Sequence, residues 1–277
     1  MLLSRPHEPG IETVNDIDSM ICNFYRAVKH DPDAVAHHAD WPAIENCLHA
    51  RHLWLLSQKV SLQERLEGDP EYYDAKVAGW WVWGMALWIG GEFCSGKGPW
   101  ASVNGRMVKT DAGQGVSRRL IHLWHVGRGI AAKEAHLYDW MRRLSERLRR
   151  VRVACGDWSR ICGPSPTYKN GLTGVFLDPP YGALATRDTV YTHDSHTVAN
   201  DVRAWALTHG SNPLMRIALC GYVGEHEALQ AHGWTPYYWK ANGGYGNQSQ
   251  GRGRDNAKRE AIWFSPHCLS ENQMKLF

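Results

Sequence analysis

A chain of 277 residues, 43% hydrophobic and 21% charged, can form one large domain or a domain with an insertion, and its composition is that of a globular core. No apolar run reaches membrane-spanning length and the start lacks a signal-peptide pattern, which argues against a membrane or exported class. The net charge of +3 hides an uneven distribution: residues 1–80 carry 7 basic and 13 acidic side chains, whereas residues 106–152 carry 12 basic and 4 acidic ones. A basic block inside a near-neutral chain is a footprint for a polyanion, although charge alone fits a solvated helix face better.

Seven scattered cysteines without a C-x-x-C pair suggest reduced thiols rather than disulfides or a zinc ribbon. Ile11–Val14 has the pattern of a short strand that ends at Asn15-Asp16-Ile17-Asp18. Met20, Ile21, Phe24, Tyr25 and Val28 then form a helical stripe. An acid at the end of such a strand is where nucleotide-binding sheets hold ribose hydroxyls, but the residues by themselves favour Asp16 or Asp18 as a cap of the helix. Residues 32–50 form a polar connection with short helical stretches, followed by a leucine-rich helix broken near Gly68-Asp69-Pro70. Cys47, His49 and His52 lack a fourth metal ligand at a sensible spacing and are expected as solvated helix histidines beside a thiol. The segment from Tyr72 to Gly91, with Trp80, Trp81, Trp83 and Trp88, is an apolar helix at the core of a helical subdomain. Gly91 to Gly98 resembles a phosphate loop but has Gly98 where Ser or Thr is required, so an NTPase is rejected.

Residues 97–115, with Arg106 and Lys109, are expected as a flexible basic loop that Arg118 and Arg119 continue. A helix from about Ala135 to Val151 follows. Leu137, Trp140, Met141, Leu144, Leu148 and Val151 face inward, and Arg142, Arg143 and Arg147 are largely outward. From Val151 onward strand and helix alternate: strands at 151–155, 175–177, 216–220, 234–240 and 260–264, and helices at 197–209 and 225–232. This alternation argues for a mainly parallel α/β sheet, and the two closing strands, joined without a helix, for an antiparallel hairpin at its end.

The informative stretch is Gly174-Val175-Phe176-Leu177-Asp178-Pro179-Pro180-Tyr181. Its apolar run is a buried strand, which the prolines must end because neither can donate a ladder hydrogen bond. Asp178 therefore sits at the carboxyl end of a strand, where open α/β sheets place ligand chemistry. A carboxylate, a carbonyl fixed by proline and an aromatic ring can accept the N–H bonds of a planar amino-bearing base and stack on its face. The bland alternative is a strand ending in a proline turn with a surface tyrosine.

This D-P-P-Y segment resembles the motif of the amino-methyltransferases, most closely the Dam-like (D12) class of DNA adenine-N6 methyltransferases. The resemblance implies a class I methyltransferase (Rossmann-like) sheet with a helical target-recognition insertion. It assigns residues 1–18 and 151–277 to the catalytic domain and 19–150 to the insertion. It implies S-adenosyl-L-methionine as cofactor, with Asp16 on its ribose and Asp157 and Trp158 beside its adenine, and Asp178, Pro179, Pro180 and Tyr181 as the catalytic motif. Double-stranded DNA is the implied partner, contacted through Arg106, Lys109, Arg118, Arg119, Arg142, Arg143 and Arg147, with no metal and no membrane. A bacterial or phage-encoded cytoplasmic enzyme fits this picture, in restriction–modification, marking or self-protection. In the family an F-x-G-x-G-type motif precedes the acidic ribose-binding strand. Residues 1–10 contain no such pattern, so the resemblance implies an amino-terminally shortened copy that lacks the first strand and half of the cofactor pocket. A degenerate DNA-binding remnant, or a methyltransferase for cytosine N4 or a protein amide, are the alternatives.

Overall fold

The computed structural model describes residues 10–88, 93–94, 100–103, 106–109, 134–180, 198–238 and 260–268, with backbone alone at 100–103, 106–109 and 134–136. The chain divides into two compact units, Met1–Arg160 and Ile161–Phe277.

The first unit is mainly helical. β1 (Glu12–Asp16) leads into α1 (Ser19–His30), which begins where Asp18 accepts a 2.8 Å hydrogen bond from the Met20 amide. α1 ends at Asp31, whose carboxylate in turn accepts from the Ala34 amide at 3.0 Å and starts α2 (Pro32–Ala39). Pro32 opens that helix, where a missing N–H costs nothing. α3 (Glu45–Gly68) runs for 24 residues and stops at the expected Gly-Asp-Pro break. α4 (Ala75–Leu87) is capped by Asp74 through the Val77 amide at 2.8 Å. The fully buried Asn23 side chain clamps the Asp74 backbone from both sides, each bond 2.9 Å, which fixes where α4 starts against α1.

Met20, Val28, Leu48, Leu55, Leu62, Trp83 and Leu87 form the core of this unit with Leu137, Met141 and Leu148 of α5 (Glu134–Leu148). Gly79 lets α4 lie on α2, since a Cβ there would stand 2.4 Å from the His38 Cβ. The Arg51 guanidinium is buried among Trp83, Trp80 and Trp41, 4.4, 4.7 and 4.8 Å from their ring centres. Two sequence expectations fail here. His49 and His52 are buried rather than solvated, and His52 packs on Trp88 and Phe93 with ring centres 4.6 and 5.3 Å away. Trp140 is exposed rather than inward: it stands just off the Leu137–Met141–Leu144 line that faces the core.

α5 delivers the chain to β4 (Val151–Cys155), which pairs in parallel with β1, from Glu12 opposite Val151 to Asp16 opposite Cys155. The expected basic loop contains an antiparallel hairpin, β2 (Trp100–Val103) with β3 (Arg106–Lys109). Polar composition suggested a loop, but the two residues between the strands are Asn104-Gly105, a strong signal for a two-residue hairpin turn.

The second unit is a four-stranded mixed sheet. β5 (Thr173–Leu177) and β6 (Met215–Tyr222) are parallel, and α6 (Val198–His209) precedes β6 in the chain. β7 (Thr235–Tyr238) and β8 (Glu260–Phe264) form the expected antiparallel pair, and β8 lies between β6 and β7, giving the order β5-β6-β8-β7. The expected helix at 225–232 is a 3-10 segment, Glu227–His232, closed by Gly233 in the left-handed region. Met215, Ile217, Leu219, Ala261 and Trp263 form the buried face of the sheet, and α6 packs against β6. The opposite face carries Phe176, Cys220 and Glu260 and is partly open, with Phe176 43% exposed. The described residues are thus α/β in class, as the alternation from Val151 onward indicated.

Candidate functional site

The chemistry-bearing residues gather at carboxyl ends of parallel strands, one set in each unit. In the second unit Asp178 follows directly on β5, exposed, with Pro179 buried behind it and Pro180 half-buried. Proline at both positions fixes φ and removes two donors, so the segment leaves the sheet and presents its carbonyls. Leu177 pairs with Leu219, which sets Asp178 beside Cys220 on the next strand. Cys220 pairs with Ile262, and Tyr222 with Glu260. Side chains alternate along strands, so Asp178, Cys220 and Glu260 share the partly open face of the sheet.

Electrostatics bear this out. The Cys220 thiol is pushed up to about 12, first by burial, then by the charges of Asp178 and Glu260 and a hydrogen bond to Asp178. Burial and the neighbouring Asp178 charge likewise raise the Glu260 carboxyl. Sequence reasoning missed Cys220 and Glu260. Their only signal was polar or thiol character on alternating strands, and that has no meaning until the register is known.

The turn after β6 is held from behind. The Tyr222 amide donates to Glu225 Oε2 at 3.0 Å, and Arg203 Nη1 donates to the Glu225 carbonyl at 2.7 Å. Gly221 rests against His226, where a Cβ would stand 2.6 Å from the imidazole. His226 is 1% exposed, and burial followed by the Arg203 charge lowers its pKa to about 4.

In the first unit, Asp16 and Asp157 lie at the ends of β1 and β4. Asp18 caps α1, while Asp16 Oδ1 accepts from the Asp18 amide at 2.9 Å, so the two acids have separate local roles. The Gly156 amide donates to the Asp16 carbonyl and Asn15 Nδ2 to the Gly156 carbonyl, both at 2.9 Å, which ties the two strand ends together. Gly156 has φ +136°, and a Cβ there would stand 2.5 Å from Arg160 Nη1. The exposed Asp157 carboxylate accepts from the Ser159 hydroxyl and amide, which holds it below the usual carboxylate range and starts a short 3-10 turn, Trp158–Ile161. Trp158 is half-buried.

The basic residues divide. Arg142 makes a two-pronged contact with Asp33 at 2.8 and 3.0 Å, and Arg143 pairs with Asp139 at 3.0 Å. Arg147 Nη2 meets Glu12 at 2.6 Å in a largely buried pair joining α5 to β1. These three guanidinium groups therefore have carboxylate partners within their own unit. Arg106 and Lys109 lie on β3, their side chains outside the description. Tyr181, Arg118 and Arg119 lie outside the described residues, as do the Gly91–Gly98 glycines and residues 1–9.

Among the described residues no helix is long and apolar enough to cross a membrane, and no group of His, Cys, Asp and Glu could hold a metal ion. No protein-family model matches the chain, and neither does any curated protein.

Proposed function

We propose that this chain transfers a methyl group from S-adenosylmethionine to a planar exocyclic amino group, the N6 of an adenine flipped out of duplex DNA. The observation that carries the reading is Asp178-Pro179-Pro180 at the carboxyl end of β5, beside a parallel β6 and with β8 antiparallel between β6 and β7. That strand arrangement is what the resemblance to class I methyltransferases implies for a carboxyl half, and the D-P-P-Y segment falls where the family carries its catalytic motif.

Asp16, Asp157 and Trp158 suit the cofactor by their chemistry: carboxylates at two adjoining parallel strand ends accept hydroxyl and amino hydrogens, and an indole packs beside a purine. Gly156 keeps that ledge low, because a side chain there would meet Arg160. When bound, the cofactor supplies an electrophilic methyl group. The Asp178 carboxylate and the Pro179 carbonyl accept the two amino hydrogens, which turns the nitrogen lone pair outward, and Tyr181 stacks on the base. Catalysis on this reading is positioning plus electrostatics, with no covalent intermediate.

A second reading has its own support. Arg142, Arg143 and Arg147 are engaged by Asp33, Asp139 and Glu12, so less basic surface is left for phosphates than composition implied. That favours an amino group outside duplex DNA, such as a protein amide. One experiment separates them. Purified protein is incubated with methyl-labelled S-adenosylmethionine and duplex DNA, or with cell-extract protein, and the nucleosides and peptides are analysed by mass spectrometry. Label in N6-methyladenine supports the first reading, label in a protein amide the second, and label in N4-methylcytosine keeps duplex DNA as substrate but refutes adenine as the target. Absence of label from both pools refutes amino-methyl transfer. A reduced compartment, the cytoplasm of a bacterium or phage host, suits seven free thiols.

A further inference from the structure

Cys22 on α1 and Cys155 at the end of β4 are 133 residues apart in sequence and meet in the first unit. The Cys22 Sγ lies 3.6 Å from the Asp16 carbonyl and 3.8 Å from the carbonyl of Ala154, the residue before Cys155. Burial first, and then the neighbouring Cys155 thiol, raise the Cys22 thiol above its ordinary range. Asp16 and Cys155 are register partners in the β1–β4 ladder, so Cys155 stands across from Asp16 and directly before Gly156. Both cysteines are free thiols.

We propose that Cys22 and Cys155 are a modification site, at which a peroxide-class oxidant converts the two thiols into a disulfide that ties α1 to the end of β4. The inference is independent of methyl transfer. The two sulfurs have different roles because their surroundings differ. Cys22 is 6% exposed and Cys155 half-buried, so Cys155 is the more open of the two residues and is assigned the first oxidation. Burial, Cys155 and the acids Asp16 and Asp18 hold the Cys22 thiol protonated, so it is a poor first target. Elsewhere Cys220 is engaged with Asp178, and Cys268 stands 3.5 Å from the Ser265 hydroxyl.

The Cys155 sulfur attacks one peroxide oxygen and the O–O bond breaks. Cys155 becomes a sulfenic acid, and the departing hydroxide takes the thiol proton as water. The Cys22 sulfur then displaces the sulfenic hydroxyl, which leaves as a second water with the Cys22 proton, and the S–S bond forms. Two thiols lose two electrons in all, and one peroxide becomes two waters. Oxidation removes the Cys22 donor from the Asp16 carbonyl and pins α1 to the strand end on which Gly156 turns.

The test treats the folded protein with hydrogen peroxide, alkylates remaining thiols under denaturing conditions, and maps the digest by mass spectrometry. The expected product is a linked pair of peptides containing Cys22 and Cys155, lighter by two hydrogens and released by dithiothreitol. Cys22→Ser should instead drive Cys155 on to the sulfinic acid, because nothing resolves the sulfenic form. If that variant does not fold, the wild-type map still decides. Wild-type protein with Cys155 as sulfinic acid and Cys22 alkylated, with Cys22 bridged to another cysteine, or with neither sulfur oxidised, overturns the proposal.

Discussion

Replacing His226 by Gln should flatten the acid side of the stability profile. The imidazole is 1% exposed, with its ring edge-on to Trp263 at 5.0 Å and Gly221 against it. Burial and the Arg203 charge lower its pKa from 6.5 to about 4. In the unfolded chain the same ring binds a proton near pH 6.5. The folded state is therefore undisturbed above that value and loses stability as pH falls, because only the unfolded chain gains the proton. Each pH unit costs about 1.4 kcal/mol, so moving from pH 7.5 to pH 5.0 should remove about 2 kcal/mol through this residue. His52 in the first unit is fully buried, its pKa lowered to about 4 by burial and then by His49, and should act in the same way. Urea unfolding at the two pH values, followed by circular dichroism for wild type, His226→Gln and His52→Gln, separates the two residues. Each variant loses some packing at both pH values, so the quantity to compare is the difference between pH values within one protein. A His226→Gln variant with the full wild-type pH dependence would refute the argument that this ring stays neutral in the fold.

Four further outcomes can be measured. Asp178→Asn should lower the Cys220 thiol from about 12 and speed its alkylation at pH 8, since a negative neighbour is removed; an unchanged rate would mean that the two side chains do not interact. The same variant should abolish methyl transfer yet leave duplex binding intact, and loss of duplex binding by the folded variant would contradict that division. Tyr181→Phe should retain much of the transfer and Tyr181→Ala little, as stacking on a base is worth roughly 1–3 kcal/mol; equal loss in both would sink the stacking role. If Arg142, Arg143 and Arg147 contact DNA phosphates, replacing all three by Ala should lower the salt slope of duplex binding by about 0.9 for each contact. An unchanged slope would mean that these arginines serve their ion pairs with Asp33, Asp139 and Glu12 rather than DNA.

Local patterns in the sequence carried much of the element list. Glu260–Phe264 is a strand with the expected bounds, because a short apolar Ala-Ile-Trp-Phe run closed by Ser265-Pro266 is too brief for a helix and rich in strand formers. Asp178 stands past a strand end because two prolines cannot continue a ladder, a constraint that needs no tertiary context. α3 ends at Gly68 for a similar reason. Patterns without such a constraint misled: the polar composition of residues 97–115 suggested a loop where β2 and β3 pair, and His49 and His52 were expected on the surface when their helix turns them inward.

What only the tertiary structure decided is which distant residues share a face. Leu177 opposite Leu219 and Tyr222 opposite Glu260 bring Asp178, Cys220 and Glu260 to one side of a sheet, and a slip of one residue would have sent Cys220 to the other side. Arg142 and Asp33 are 109 residues apart, and the chain between them shows no sign that a guanidinium counted as available for phosphate is already paired. Cys22 and Cys155 lack any motif spacing, and they meet because a parallel ladder lays β4 beside β1 and α1 packs across it. Helix caps and strand ends depend on neighbours a few residues away and can be read in sequence order. Register and helix packing depend on burying whole faces at once, and that is settled only when the chain has folded.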